Sequence, residues 1–361
     1  MKKSVFILLA LLLGMTATAQ TQKQKLTITT KRGKVHTYVM GESMDSLRIL
    51  NDVGIKVYPK GTKVSKDYLF SQITYTLTNE PTPTPDPSGK NANRNTTADL
   101  KKNPQGWRLE FPRFYQGANK TYEITHFTTE NGKRMNNYSV EWDAKLKANR
   151  WTCYEMYDKM MQKKAKRKNK FKPDPDIPLN MQTTQEDYSG SGFDRGHLCP
   201  SDDRCCSQAM NDQTFYLSNM QPQVHGHNGG VWKKLEEKVR AWAGKCDTLY
   251  VVKAATIDKA EYICNKKDLN EIAEKEGKPA GSLHFPGIVP KYFYMALLAY
   301  DKKTNTYRAL GIWSPHYKKS KYDYITIEEL QKRTGIDFFC NLDDSIEKAV
   351  EATVDSDYWE K

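Results

Sequence analysis

Between residues 25 and 78 apolar and polar positions alternate in short runs, Leu26-Thr-Ile-Thr-Thr, Lys34-Val-His-Thr-Tyr-Val and Ile73-Thr-Tyr-Thr-Leu, broken by Arg32-Gly33 and Asn51-Asp52. A period of two turns one face of each run toward a core, so residues 20–80 are expected to form a small β-rich module. Nothing in it suggests chemistry, and His36 reads as a surface or packing residue. The alternation then stops. Pro81-Thr-Pro-Thr-Pro-Asp-Pro87-Ser-Gly89 and the polar stretch to Pro104 predict a linker over 81–105, extended in its proline half and looser in its Asn/Thr/Lys half. Beyond it the apolar runs return. Thr248-Leu-Tyr-Val-Val, Tyr292-Phe-Tyr-Met-Ala-Leu-Leu and Arg308-Ala-Leu-Gly-Ile-Trp predict strands of a central sheet, whereas Ile325 to Arg333, stopped by Gly335, and Ser345 to Val354 predict helices. Counting from Asn228 at 100° per residue, Trp232, Leu235, Val239 and Trp242 fall within about 40° of it, the stripe of a helix with one buried face. A second domain over 106–345 is long enough to bury its own core, with 346–361 as a C-terminal helix or tail.

Composition adds a compartment and a class of partner. Met1-Lys-Lys, the apolar run Val5 to Leu13 and Thr16-Ala17-Thr18-Ala19 have the pattern of a cleavable secretory signal over 1–19, cut after Ala19; the run is too short to span a bilayer. The expectation is a secreted or periplasmic protein without a membrane span. Seven cysteines in such a compartment predict that at least some pair, although no connectivity follows from sequence. The formal net charge of +13 points to polyanionic partners. Much of that charge is local: Lys159, Lys163, Lys164, Lys166, Arg167, Lys168, Lys170 and Lys172 crowd a stretch that contains no acid beyond Lys159. The bland reading is a solvated face; the functional one is a phosphate-tracking surface.

Candidate chemistry concentrates after that run. Ser189-Gly-Ser-Gly-Phe-Asp194-Arg195-Gly196-His197 is followed by Ser218-Asn219-Met-Gln-Pro-Gln and then by Asn228-Gly-Gly-Val-Trp-Lys-Lys-Leu-Glu236. An imidazole with an ordinary pKa of about 6.5 can take a proton from water, which suits His197 to act as a general base. Arg195 can offer a bidentate fork to phosphate, while Asp194 better orients the loop.

These blocks, with Arg150-Trp-Thr-Cys-Tyr-Glu-Met before them and Val289-Pro-Lys-Tyr-Phe-Tyr294 and Thr334-Gly-Ile-Asp-Phe-Phe339 after, resemble the DNA/RNA non-specific endonucleases, the metal-dependent family of the Serratia nuclease and mitochondrial endonuclease G. The resemblance runs from about Trp107 to about Leu342. It implies an α+β, ββα-metal nuclease fold with a central antiparallel-rich sheet. It implies Asn228 as the one protein ligand of Mg2+, with Mn2+ or another divalent ion as a substitute; by its residue type alone Asn228 reads better as a helix N-cap. It makes Glu236 an outer-shell acid and Arg240 a phosphate contact, where the bland reading is a surface ion pair four residues apart. Asn219 would position the metal shell or the base. The family's arginine two residues before an aromatic is missing, since Asn169 precedes Phe171; Arg167 is the substitute. His225 and His227 lack a third zinc ligand and read as polar loop residues. The function implied is a metal-dependent endonuclease acting on DNA and RNA and leaving 5′-phosphates. A cationic nucleic-acid-binding protein without turnover, or a nuclease toxin, fits the same charge.

Overall fold

The computed structural model describes residues 22–31, 35–39, 44–50, 54–61, 64–81, 91–130 and 132–360. The expected signal at 1–19 and most of the proline-rich half of the linker lie outside them. The chain divides into two compact units, parting between residues 85 and 86.

The first unit is all β. Strands β1 (Gln22–Thr30), β2 (Val35–Val39), β3 (Met44–Leu50), β4 (Gly54–Pro59), β5 (Lys66–Leu69) and β6 (Ile73–Pro81) form two three-stranded antiparallel sheets, ordered β2-β1-β6 and β3-β4-β5. Leu26 and Ile28, two apart on β1, bury their side chains with Tyr38, Met44, Ile55, Val57 and Ile73, as the period of two requires.

The second unit is α+β, and its central sheet is wholly antiparallel. Strands β7 (Thr121–Glu130), β8 (Lys133–Asp143), β9 (Ala148–Met156), β12 (Thr248–Ala255), β13 (Tyr292–Asp301), β14 (Thr306–Pro315) and β15 (Asp323–Ile325) make one seven-stranded sheet in the order β15-β14-β13-β12-β9-β8-β7; a separate hairpin pairs β10 (Asp194–His197) with β11 (Met220–Gln223). Alternation along β13 sends Phe293, Met295, Leu297 and Ala299 to one face and Tyr294, Ala296 and Leu298 to the other, so both faces are covered. The first face packs against the stripe Trp232, Leu235, Val239 and Trp242. These belong to a π-helical turn (His227–Trp232) and a helix of eleven residues, Lys233–Ala243. The second face packs against Ile327 and Leu330, on a helix over Ile327–Thr334, and against Phe338, Phe339 and Leu342; that helix ends at Gly335, whose φ of 74° is the left-handed cap glycine tolerates best.

Two expected boundaries move. Residues 91–105, read as the loose half of a linker, fold onto the second unit. A short helix, Thr97–Lys102, is opened by a Thr96/Asp99 capping box, and buried Asn95 donates to the carbonyls of Gly106 and Pro112 and accepts from the Phe114 amide. The polar residues that suggested a solvated chain are there to satisfy backbone groups. The expected tail at 346–361 is also integral: Trp359 is buried edge-on against Trp242, whose indole N–H donates to its carbonyl at 2.9 Å. The seven cysteines carry no disulfide, against expectation. Cys153 and Cys199 lie in clusters on opposite faces of the sheet, and Cys205 and Cys206 spend their thiols on the Ser201 carbonyl and on Met160 and Met210. No helix among the described residues is long and apolar enough to cross a membrane.

Candidate active site

The hairpin, the π turn and the helix after it form a strand-strand-helix unit on one face of the sheet, and this unit carries most of the predicted residues. Register sets Asp194 opposite Gln223 and His197 opposite Met220. Gly196 is needed for close packing: a Cβ there would stand 2.2 Å from Gln223 Oε1 and 2.7 Å from its Cβ. Behind the strand, fully buried Asn219 accepts from the Cys199 amide at 2.9 Å and donates to the carbonyls of Cys199 and Thr214 at 2.8 and 2.9 Å. With its side chain committed to backbone, Asn219 anchors the chain just after His197; that is its contribution to the site.

His197 is 8% exposed, with its ring edge-on to Phe215 (centroids 5.0 Å) and tilted on Phe171 (5.6 Å). Its Nε2 is buried without a hydrogen-bond partner. Burial first, then the charges of Arg167 and Lys253, pull its pKa down to about 3, so the imidazole is neutral. Phe171 also carries the Arg195 guanidinium, 4.5 Å above its ring, and Arg167 lies 5.3 Å from the Phe215 ring. Arg167 and His197 thus share the Phe215 ring, and Arg167 Nε donates to Asn169 Oδ1 at 2.6 Å. Lys163, Lys164 and Lys166 are exposed on an irregular segment fixed by its backbone: the Lys164 and Ala165 amides donate to the Cys205 carbonyl, and Lys166 pairs with Gln208.

Asn228 sits in the π turn and caps nothing. Its amide donates to Asp194 Oδ2 at 2.9 Å, an oxygen that also meets His225 Nδ1 at 2.9 Å. Held by its NH2, the amide leaves its carbonyl oxygen without a partner among the described residues. Two turns along, Glu236 is half-buried and makes no hydrogen bond or ion pair there. Burial raises its carboxyl to about 7; Asp203 and Asp202 push the same way and Lys253 and Arg240 oppose. The bland Glu236–Arg240 pair does not form. Arg240 instead contacts Asp203, Nη1 to Oδ1 at 2.9 Å. A free neutral oxygen and, two turns further along, an unpaired acid are donors of the kind a hard divalent ion that keeps most of its water accepts. Two clusters of His and carboxylate side chains exist among the described residues, His126/Asp174/Asp176 and Asp337/Glu347/Glu351, and Glu236 belongs to neither.

The His225-x-His227 pair is not one unit. His225 is exposed, but His227 is a core residue: its Nδ1 meets Gln223 at 2.6 Å and its Nε2 meets Ser314 at 2.8 Å. His316 locks the same corner, accepting from the Val224 amide at 2.8 Å, and burial lowers its pKa to about 4. Sequence reasoning missed Phe215, Asp203 and Lys253 as neighbours of the site. No spacing marks them, since each arrives from a different element.

The hairpin thus presents His197, and the π turn and the helix after it present Asn228 and Glu236. The DNA/RNA non-specific endonuclease family matches residues 118–345, and the chain belongs to that family. It is 28% identical over 214 residues to the mitochondrial nuclease EXOG of Xenopus laevis, covering 57% of this chain and 58% of that protein. It is 34% identical over 182 residues to nuclease C1 of Cunninghamella echinulata, covering 48% and 68%. A nuclease of Nostoc is 26% identical over 233 residues, covering 61% and 77%. The solved EndoG/EndoGI complex gives a TM-score of 0.48 at 22% identity, covering 62% of this chain and 89% of that one.

Proposed function

We propose that the protein is an exported, divalent-metal-dependent endonuclease that hydrolyses phosphodiester bonds in both DNA and RNA. The observation that carries this reading is the neutral His197 ring, its Nε2 buried and unpartnered between two phenylalanines that also seat Arg195 and Arg167. In this reading Nε2 takes the proton of the attacking water, and the rigid aromatic walls keep the ring aimed. Arg195, Arg167 and Arg240 hold phosphate oxygens, Asn219 fixes the strand behind the base, and Lys163, Lys164 and Lys166 follow the nucleic-acid backbone. Asn228 and Glu236 would hold Mg2+, or Mn2+ in its place, and its water shell; when bound, the ion would polarise the phosphate and stabilise the leaving 3′ oxygen. The products are then 5′-phosphates. None of these groups addresses a base edge or a 2′-hydroxyl, which favours indifference to sugar and sequence. Export follows from the signal pattern of residues 1–19 and predicts a mature N-terminus at Gln20. A plasmid-nicking assay tests the whole reading: nicking with Mg2+, none with EDTA and restoration by added Mg2+ support it. Tight DNA binding with no nicking at any metal concentration would make the protein a binder.

A further inference from the structure

The reading of Arg240 as a phosphate contact leaves open what holds that guanidinium in place. We propose that Asp203 is its positioning residue, with Lys253 buried behind as the fixed countercharge to that carboxylate; the inference rests on the proposed nuclease function. Asp203 follows the His197 strand directly, in the tight helical turn Ser201–Arg204, and is 0% exposed. A carboxylate removed from water persists only when it is paired and hydrogen-bonded. Its partners come from three other elements. Tyr154 on β9 donates to Oδ2 at 2.8 Å, Arg240 on the long helix donates to Oδ1 at 2.9 Å, and Lys253 on β12 brings Nζ to 3.8 Å from Oδ2. One side chain thus ties the segment that carries the base to the helix that carries Glu236.

Lys253 makes a purely structural role unlike the other buried positions of that face. Alternation along β12 sends Leu249, Val251 and Ala255 into the apolar cluster beneath the helix, and Lys253 shares their parity. It is 0% exposed and its Nζ has no hydrogen-bond partner, 5.7 Å from the Tyr154 ring and 6.0 Å from the Trp232 ring. An apolar side chain would fill that space without the cost of a desolvated ammonium. The ammonium instead places a positive charge 3.8 Å from Asp203 Oδ2. A half-buried arginine on a helix flank would otherwise exchange rotamers. Contact through Nη1 alone fixes its direction and leaves its remaining N–H groups free for a phosphate. Selection by mere proximity in sequence would have paired Arg240 with Glu236, four residues earlier, and it did not.

The test compares steady-state cleavage of a plasmid by the full chain and four variants in saturating Mg2+. Arg240→Ala should lower kcat about 10²-fold, and Asp203→Asn about 10- to 10²-fold with KM within about threefold, the signature of a misaimed group rather than a lost binding surface. Asp203→Asn/Arg240→Ala should be no slower than Arg240→Ala alone. Added guanidinium ion should restore part of the Arg240→Ala rate while Asp203 is present and none of it in the double variant. Because Asp203→Asn strands the Lys253 charge, Asp203→Asn/Lys253→Met, with both charges gone, should keep the melting temperature and stay as slow as Asp203→Asn. Wild-type kcat in either Asp203 variant beside a slow Arg240→Ala overturns the proposal, as do additive losses or guanidinium rescue without Asp203. Loss of fold in both Asp203 variants also overturns it, making Asp203 structural. If Arg240→Ala itself keeps the wild-type rate, the phosphate-contact reading fails and takes this inference with it, while cleavage dependent on His197 would still stand.

Discussion

His197 is where a residue's environment departs most from its sequence. An exposed imidazole would be partly protonated below pH 6.5, whereas Phe171, Phe215 and the nearby cations keep this one neutral down to about pH 3. His197→Ala should therefore cut turnover by about 10²–10⁴ while leaving nucleic-acid affinity nearly intact. Wild-type turnover in this variant would remove the base from His197. The same burial has a thermodynamic consequence. Because the folded pKa lies below the unfolded one, the unfolded chain binds more protons as pH falls. The stability that His197 contributes is then complete above pH 6.5 and is lost progressively down to about pH 3. Urea unfolding followed from pH 7 to pH 4 should show a smaller loss on acidification in His197→Asn than in the wild type. Equal slopes would mean that the imidazole is protonated in the native state.

At the scale of the element, the site depends on the join between hairpin and helix. The π turn His227–Trp232 is secured by buried His227, by the Trp232 indole donating to the His197 carbonyl at 3.1 Å, and by the Asn228 amide on Asp194. Single π turns recur at functional sites because the extra residue per turn points a side chain where an α-helix would not. Asn228→Ala should raise the Mg2+ concentration for half-maximal rate or abolish cleavage, measured by metal titration of the nicking rate. A lower melting temperature with unchanged metal dependence would make Asn228 a structural residue.

At the scale of the whole molecule, the net charge of +13 matters through its placement. Lys163, Lys164 and Lys166 run toward Arg167, which stands over Phe215 beside His197, so under the proposed function a polyanion attracted to the segment would be guided to the hairpin. Each neutralised phosphate on duplex DNA adds about −0.9 to the slope of log K against log[salt]. Replacing all three lysines with Gln should make the slope less negative and weaken every sequence alike, as read by binding titrations in Ca2+ at several salt concentrations. An unchanged slope places the DNA track elsewhere, and a sequence-dependent loss would mean that the lysines read bases.

Sequence by itself determined what local pattern or motif encodes. The alternating runs became β1, β2 and β6 of the small module and β12, β13 and β14 of the large sheet, and the Asn228 stripe became the buried face of a helix. The Asp-Arg-Gly-His block singled out Asp194, Arg195 and His197, and the family resemblance added Asn219, Asn228, Glu236 and Arg240. Strands β7, β8 and β9 escaped because their buried faces carry polar groups such as Asn137, Ser139, Glu141, Asp143, Arg150 and Thr152. Many of these are satisfied across the fold, as where Arg150 meets Asp143 at 2.8 Å and Asp258 at 2.6 Å. The folded state of residues 91–105, the unpaired cysteines and the Asp203–Arg240–Lys253 cluster were likewise decided only in three dimensions. A hydrogen bond or counterion supplied from a distant strand leaves no periodicity in the chain, so a polar residue destined for the core looks the same in sequence as one destined for water.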